Sequence, residues 1–477
     1  MNHAPVAVLA AVVALAVQPA LAADAGLNAL REEIAQMKNA YEQRINALEK
    51  RLVEAERQAV AAGSKAETAA SQARVAREAS RPPAAAGAFN PEISLILSGM
   101  YNNTSQDPRQ DPTGAAGRER RIQGLLPAGG ELNPEARAWN LGESELAISA
   151  NIDPHLRGTF LAAISPANEI GVEEAHIQTI GLSSGLGIKA GRFFSGIGYA
   201  NEQHPHAWGF SNAALPYEAF FGPQLGYDGI QAKWVAPTEL FLELGAEIGR
   251  ARSFPASERN KNGLMSGSLF AHVGGDAGVS HSWRAGVSLF TSKPRDRSYE
   301  DIDSTGTTVT NSFSGRSDTT VLDFVWKWAP EGGAKERGFT FQSEWFRRRE
   351  SGDLTYDTTA ASLGTATDSF RSSQSGFYAQ GVWQFRPQWR AGYRYDQLSA
   401  ANLSVGLVDN AVLAPADLPL LQGFKPKRHT AMVDYSPSEF SRIRFQVARD
   451  QTRPGVTDNQ FWVHYITSMG AHGAHKY

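Results

Sequence analysis

From Phe89 onward, apolar and polar residues alternate with a period of two along segments of about ten residues. Short turns and long polar loops separate these segments in alternation. A period of two places successive side chains on opposite faces of a strand, so each segment predicts a strand with one apolar face. The sixteen predicted strands lie near residues 93–101, 145–152, 157–165, 172–180, 186–195, 225–235, 238–250, 266–279, 283–293, 319–329, 337–349, 374–386, 388–398, 427–436, 439–450 and 459–469.

The loop lengths and the alternation together predict a transmembrane barrel. In the tenth segment Leu322 and Phe324 share the apolar face. Asp323 and Lys327 lie on the opposite, polar face. Such strands, with short turns on one side and long loops on the other, are typical of barrels with a lipid-facing exterior and a polar lumen. We therefore predict an all-β transmembrane barrel of about sixteen antiparallel strands over residues 89–477, wide enough for an aqueous channel.

The segment from Leu27 to Ala59 has a helical period instead. Its apolar residues recur at spacings that alternate three and four, except for two successive four-residue steps at Tyr41. This heptad pattern predicts an N-terminal α-helical coiled coil over residues 23–62, a self-associating stalk, in preference to an amphipathic helix packed on the core. The seam residues do not determine how many helices associate. The Ala-, Ser- and Pro-rich residues 63–88 predict a linker.

The N-terminus has the pattern of an export signal. An apolar run from Val6 to Val17 precedes Ala20-Leu21-Ala22, which predicts a signal peptide over residues 1–22 with cleavage after Ala22. The alternative is an uncleaved anchor, for which this run is short. An even strand number puts both ends of the barrel on the side of the short turns. We therefore predict a periplasmic stalk and a barrel in the outer membrane of a Gram-negative bacterium.

Composition narrows the classes of function. The 477 residues include no cysteine, so strand pairing rather than disulfides must stabilise the exported chain. The formal net charge of -3 gives no sign of nucleic-acid binding. The sequence has no phosphate-binding loop of the Walker type and no His-Glu-x-x-His motif, and we predict that the protein is not an enzyme.

Charged residues on the predicted lumen face fall into two groups. Five arginines of the thirteenth to fifteenth strands form a basic wall, and four glutamates lie on the opposite arc. Opposed charges across a lumen would orient permeating solutes. The alternative is that these charges only keep the lumen polar and select nothing. The predicted pore-lining residues are Arg390, Arg394, Arg428, Arg442 and Arg444 on the basic side and Glu145, Glu174, Glu243 and Glu247 on the acidic side.

The loop after the fifth predicted strand, residues 195–222, is rich in apolar and aromatic residues for a surface loop. It is the third long loop of the barrel. A surface position would leave these aromatic side chains in water, so we predict that the loop folds into the barrel and forms its constriction. The predicted constriction residues are Tyr199, Glu202, His204, His206 and Trp208.

His204 and His206 are also candidate metal ligands, because imidazole and carboxylate groups suit zinc. A His-x-His pair is a weak signal by itself, and Pro205 between the two constrains joint chelation. His472 and His475 form a similar pair near the C-terminus, with a solvated strand end as the alternative interpretation. Apart from zinc, no cofactor is predicted.

Three stretches resemble known outer-membrane families. LGIKAGRFF, at residues 186–194, resembles the strand that leads into the constriction loop of phosphate- and polyphosphate-selective porins. GESELAISANIDP (142–154) and GRFFSGIGYANEQHPHAW (191–208) are similar to proteobacterial proteins labelled zinc-regulated TonB-dependent outer-membrane receptors. The first resemblance implies a trimeric, 16-stranded channel, in some members with a periplasmic coiled coil. The second implies a link to zinc; a receptor of that type also needs an N-terminal plug, for which residues 89–477 leave little room.

These patterns predict a porin, an outer-membrane channel for passive diffusion of small polar or anionic solutes, with the third loop as its constriction. The predicted partners are outer-membrane lipid, these solutes and further copies of the chain, because the porin resemblance implies a homotrimer held through barrel and coiled coil. One alternative is a zinc-linked outer-membrane receptor or uptake protein that uses the His-containing loop. A second alternative is a structural envelope anchor.

Overall fold

The computed structural model describes residues 91–107, 122, 137–165, 169–252, 254–257, 265–330 and 336–470, together with seven helical residues between 36 and 50. The chain divides into two units, Met1–Ala88 and Phe89–Tyr477, and all the described strands lie in the second. The predicted signal peptide and linker lie outside the described residues, as does most of the predicted coiled coil. Those three assignments stay predictions.

The described part of the barrel unit forms eighteen β-strands. They are β1 (Glu92–Thr104), β2 (Ala138–Leu141), β3 (Ser144–Asn151), β4 (Leu156–Ile164), β5 (Ile170–Thr179), β6 (Leu186–Phe194), β7 (Gly226–Val235), β8 (Phe241–Ala251), β9 (Ser266–Ala277), β10 (His281–Ser292), β11 (Arg297–Ile302), β12 (Thr308–Trp328), β13 (Gly338–Tyr356), β14 (Ala366–Arg386), β15 (Trp389–Val405), β16 (Lys427–Ser438), β17 (Ser441–Arg453) and β18 (Val456–Gly470). The α-helices are α1 (Leu215–Phe221) and α2 (Gly406–Asp409), and short 3-10 turns lie at Ser183–Gly185, Pro205–Ala207, Pro415–Asp417 and Pro419–Leu421.

The eighteen strands occupy sixteen positions in one closed antiparallel sheet. β2 and β3 both pair with β1, so together they fill one position. β10 and β11 both pair with β12 in the same way. β18 returns to β1, with a register that runs from Ser94 opposite Gly470 to Thr104 opposite Gln460. The predicted barrel of sixteen antiparallel strands is therefore confirmed.

The two faces of the sheet have opposite chemistry. On β12, Leu322 and Phe324 are 45% and 41% exposed, whereas Asp323 between them is 4% exposed. Each of the sixteen positions has at least one large exposed hydrophobic residue on its outer face, as transmembrane barrels do. One such residue per position is Ile93, Leu146, Phe160, Ile177, Ile188, Ile230, Leu244, Leu269, Val287, Leu322, Trp345, Trp383, Tyr393, Val433, Phe445 and Phe461.

Strands β12 to β15 are 17 to 21 residues long, about twice the length needed to cross a bilayer. Their outer ends, together with β11 and residues 406–426, bury a cluster of apolar residues. The predicted strands were too short because the segments beyond the lipid, rich in Ser and Thr, have no apolar outer face and turn their few apolar residues inward. The buried members of the cluster are Tyr299, Val309, Phe313, Leu354, Tyr356, Phe370, Val405, Leu407, Leu413, Leu418 and Leu421.

Within the described residues, no helix has both the length and the apolar character needed to span a membrane.

Because Leu322 faces outward, a charge at this position should destabilise the barrel much more than a charge on the inner face. Leu322→Arg puts a charge on the apolar face and should lower the free energy of unfolding in bilayers by about 2–4 kcal/mol. Thr159→Arg is the control, because Thr159 pairs with Ser149 and His176 on the inner face and should change stability much less. Equal losses in urea titrations of vesicle-folded protein would contradict the assignment of the faces.

Candidate functional site

The segment between β6 and β7, residues 195–225, lies inside the barrel, and we call it the lumen loop. It includes the 3-10 turn at Pro205–Ala207 and helix α1. Its backbone makes hydrogen bonds to inward-facing side chains on strands all around the wall. These wall residues are Glu247 of β8, Ser288 of β10, Glu344 of β13, Asp396 of β15 and Gln446 of β17.

Aromatic packing holds helix α1 away from water. All seven residues of the helix are buried. The rings of Phe220 and Phe221 lie 5.9 Å from the ring of Phe346 on β13, and Tyr217 meets the same ring edge-on at 4.9 Å. Aromatic side chains of this size contribute strongly to burial. The apolar and aromatic residues that distinguish this segment in the sequence therefore form a small hydrophobic core inside the barrel.

Two wall carboxylates bind the backbone of the first half of the lumen loop. Glu247 accepts hydrogen bonds from the Gly196 N–H at 2.8 Å and from the Ser195 hydroxyl. Glu344 accepts from the Tyr199 N–H at 3.1 Å and from the Ala200 N–H at 3.1 Å, and from two tyrosine hydroxyls. Buried N–H groups need such acceptors, because they have lost water.

Gly198 lies where the lumen loop passes closest to Glu344. Its φ is +64°, a conformation that favours glycine. A Cβ at this position would collide with Glu344 Oε2 and would lie 2.7 Å from the Tyr217 hydroxyl. The close contact of the loop with the wall therefore depends on glycine here.

Arginines of β15 and β16 bind carbonyl groups in the second half of the lumen loop. Arg394 donates to the Asn212 carbonyl and to Asn212 Oδ1, each at 2.9 Å. Arg428 donates to the Ala213 carbonyl at 2.7 Å. The exposed fraction is 2% for Arg394 and zero for Arg428. A guanidinium group has several donors, which suits it to satisfying clustered carbonyls.

Carboxylates beside these arginines supply the opposite charge. Asp396 lies 3.0 Å from Arg394 Nε and also accepts a hydrogen bond from the Leu215 N–H, at the start of α1. Glu218 of the same helix lies 3.5 Å from Arg428 Nη1. Buried charges are costly unless they are paired, and here Asp396 of the wall supplies the paired charge.

Three other arginines surround Asp434 on β16. The carboxylate lies 2.5 Å from Arg390, 2.7 Å from Arg444 and 4.0 Å from Arg442. Arg444 is fully buried and donates to the Trp208 carbonyl at 3.0 Å. The side chains of Arg390 and Arg442 remain 29% and 22% exposed.

This arrangement differs from the basic wall that the sequence suggested. All five arginines face inward, but Arg394, Arg428 and Arg444 are covered by the lumen loop and bind its backbone. The alternation of residues along a strand shows which side chains face the interior, but it contains no information about a segment that later covers them. Only Arg390 and Arg442 keep partly exposed side chains.

The four predicted lumen glutamates also have partners. Glu247 binds the lumen loop, and Glu243 lies 3.0 Å from His272 and 4.0 Å from Lys233. Glu145 and Glu174 meet the histidines of the loop.

Five residues at the junction of β3, β5 and the lumen loop form what we call the carboxylate–histidine cluster. His204 Nδ1 lies 3.2 Å from Glu173 Oε2 and 3.4 Å from Glu145 Oε2. His204 Nε2 lies 3.0 Å from Glu174 Oε1, and His206 Nδ1 lies 2.8 Å from Glu145 Oε1. Burial alone would lower the pKa of His204. The hydrogen bonds to Glu173 and Glu174 and the charge of Glu145 outweigh burial and raise this pKa well above its usual range.

A bulge in β5 explains how two consecutive glutamates reach one imidazole ring. Leu161 of β4 pairs with Glu174 and the next residue pairs with Val172, so Glu173 is an extra residue. In a regular strand adjacent side chains point to opposite faces, whereas a bulge redirects one of them. For this reason the alternation of residues did not predict that Glu173 faces His204.

The other predicted constriction residues lie along the same loop. Glu202 forms an ion pair with Lys233 at 2.9 Å rather than joining the histidines. Tyr199 is buried beneath Arg284, at 5.3 Å from its guanidinium carbon. Trp208 donates its indole N–H to the Gln203 carbonyl at 2.7 Å.

No family model matches the chain. A protein of Aquifex aeolicus (strain VF5), described as an uncharacterized protein, is 30% identical over 420 residues. The matched region covers 83% of this chain and 81% of the relative. The chain belongs to the family of this Aquifex protein. The relationship extends over most of both chains.

Solved structures similar to this member of the Aquifex family are outer-membrane proteins. A loop L8 deletion mutant of OmpT from Vibrio cholerae has a TM-score of 0.47 at 11% identity and covers 80% of this chain and 99% of its own. OprB from Pseudomonas putida has a TM-score of 0.47 at 14% identity, with 80% and 94% covered. The channel DcaP of Acinetobacter baumannii has a TM-score of 0.46 at 11% identity, with 80% and 97% covered. The assignment of the fold rests on the pairing of the strands and not on these similarities.

Because the carboxyl of Glu218 is buried, the docking of the lumen loop should depend on pH in this member of the Aquifex family. Burial raises the pKa of Glu218 to about 7, against the opposing effects of Arg428 and Arg394. The docked loop therefore favours the protonated carboxyl. Its contribution to docking is full below the ordinary glutamate pKa of about 4.3 and is lost as the pH rises to about 7.

Hydrogen exchange of residues 195–225, corrected for intrinsic rates, tests this linkage. Glu218→Gln should match the wild type at pH 5 and should be better protected than the wild type at pH 8. Glu439→Gln, in the exposed turn between β16 and β17, should match the wild type at both values. Lower protection of Glu218→Gln at pH 8 would show that the ionised carboxylate holds the loop.

Proposed function

We propose that the protein is a porin, a channel for passive diffusion of small polar or anionic solutes across the outer membrane of a Gram-negative bacterium. In this proposal the lumen loop forms the constriction. The observation that carries it is the lumen loop, which is fixed to the wall by buried contacts while Arg390 and Arg442 stay partly exposed on the inner face beside it. A barrel of sixteen strands is wide enough to hold such a loop and still leave an aqueous path.

The charges beside the loop favour anions. Arg390, Arg442 and Arg444 surround one carboxylate, that of Asp434. Three guanidinium groups around one carboxylate leave a local excess of positive charge, and the two partly exposed arginines present it to the interior. Charged side chains that line a narrow path select ions of the opposite sign.

The remaining expectations extend this proposal. A homotrimer, a periplasmic stalk and the lack of enzymatic activity follow from the sequence patterns and the porin resemblance. They stay predictions. No contact among the described residues of the barrel favours the alternative of a purely structural anchor.

The position of the lumen loop predicts the effect of removing it. Deletion of residues 203–218 takes away the 3-10 turn and the first part of α1, so the single-channel conductance in planar bilayers should increase. The control is a deletion of residues 359–363, in the largely exposed loop between β13 and β14, which should leave conductance unchanged. A wild-type conductance in the 203–218 deletion would remove the constriction role.

The exposed arginines predict ion selectivity. The double variant Arg390→Gln and Arg442→Gln should lower the permeability ratio of anion to cation, measured from reversal potentials in a salt gradient. Arg349→Gln is the control, because Arg349 is an exposed arginine on the outer face of β13 and should not change this ratio. A ratio that is unaffected in the double variant would mean that the basic side chains select nothing.

A further inference from the structure

We propose that the carboxylate–histidine cluster is a binding site for a divalent transition-metal cation, with Glu145, Glu173 and His204 as ligands. The site joins the lumen loop to the wall at β3 and β5. The proposal goes beyond the porin function and does not depend on whether the barrel conducts. It rests on four features of the cluster, namely the spacing of the ligand atoms, an unused carboxylate oxygen, the second nitrogen of the imidazole and the local charge.

The ligand atoms have the spacing of a metal site. His204 Nδ1 lies 3.2 Å from Glu173 Oε2 and 3.4 Å from Glu145 Oε2. Ligand atoms of all three residues lie within 4.8 Å of one another. Bonds of 2.0–2.2 Å in a tetrahedral zinc site separate neighbouring ligand atoms by about 3.3–3.6 Å. The two imidazole-to-carboxylate distances match this edge.

Glu145 offers an oxygen that accepts no hydrogen bond from a described residue and lies 3.4 Å from His204 Nδ1. The residue is only 2% exposed. Its Oε1 pairs with His206, while its Oε2 makes no hydrogen bond with any described residue and points toward His204 Nδ1. Glu143, next to the start of β3, has a buried Oε1 that is likewise without a hydrogen bond among the described residues. Buried carboxylate oxygens without partners are costly, and a bound cation removes that cost.

The other nitrogen of His204 is already oriented as in metal centres. Nε2 lies 3.0 Å from Glu174 Oε1, and Glu174 in turn lies 3.3 Å from His176. A metal-binding histidine usually donates its second N–H to a carboxylate, which fixes the ring and raises its basicity. A metal ion would replace the proton on Nδ1, and with Nε2 still bound to Glu174 the lone pair of Nδ1 would then face Glu145 and Glu173.

The local charge also suits a cation. Four carboxyl groups, those of Glu143, Glu145, Glu173 and Glu174, lie together at this junction around His204. Two permanently charged side chains act on the cluster: Arg252 donates to the Glu173 carbonyl at 3.0 Å, and Lys189 interacts with the carboxylate of Glu174. Imidazole with carboxylates suits Zn²⁺ and similar divalent ions. The side chains of Glu173 and His204 are 18% and 15% exposed, so an ion can reach them from the lumen.

Zinc binding to the folded full-length protein in detergent, measured by equilibrium dialysis and calorimetry, tests the site. The wild type should bind one zinc ion per chain at this site. His204→Ala and Glu173→Gln should abolish this binding. Glu174→Gln should keep the stoichiometry but weaken the affinity about 10–100-fold, as expected for a group that orients a ligand.

Two controls separate this site from other histidines. His155→Ala changes an exposed histidine in the turn between β3 and β4 and should bind zinc like the wild type. The double variant His472→Ala and His475→Ala tests the C-terminal pair and should also bind at the cluster. Electrophoretic mobility with and without heating shows that each variant is folded, and Glu173→Gln keeps nearly the shape of the native side chain.

Two outcomes would overturn the proposal. One is a folded wild type that binds no zinc at one equivalent per chain. The other is zinc binding that survives in both folded His204→Ala and Glu173→Gln.

Discussion

Polar contacts between the barrel wall and the backbone of the lumen loop are the interactions on which the interior depends. A segment of 31 residues, 195–225, lies among inward-facing strands where its N–H and C=O groups have lost water. Wall carboxylates such as Glu247 and Glu344 accept from its N–H groups, and wall arginines such as Arg394 donate to its carbonyls. The charged residues of the wall are in turn neutralised by one another and by the loop, so neither would be stable in this form without the other.

This mutual dependence separates charged residues into two functional groups. Arg394, Arg428 and Arg444 are buried and act on the loop, so they influence a permeating solute only through its position. In the proposed function, Arg390 and Arg442 remain partly exposed and could meet a solute directly, although Arg442 also donates to the His206 carbonyl of the loop at 3.3 Å. The carboxylate–histidine cluster adds an attachment on β3 and β5, on the same side of the barrel as β17, where a cation would replace direct hydrogen bonds as the link between loop and wall. If the proposed function and the proposed metal site are right, channel width, selectivity and metal binding all depend on one loop.

The barrel could be predicted from the sequence because it is a local pattern. A residue such as Leu322 faces lipid because its neighbours alternate with it, and this is visible in a single strand. The inward course of the lumen loop was predictable from its aromatic residues. The pairing of His204 with Glu173 was not, because it joins residues 31 positions apart through a bulge that breaks the alternation. The outer ends of β12 to β15 were missed because their outward side chains are polar and their few apolar residues face inward. The cover over Arg428 was missed because burial by a distant segment leaves no trace in the strand that is buried.

In the proposed function the fixed loop leaves a conducting path that favours anions. The reversal potential of the wild-type protein, folded in a planar bilayer under a gradient of potassium chloride, tests this directly. We expect open channels with a reversal potential of the sign that chloride preference gives. A folded protein that does not conduct, or one with a clear preference for potassium, would contradict it.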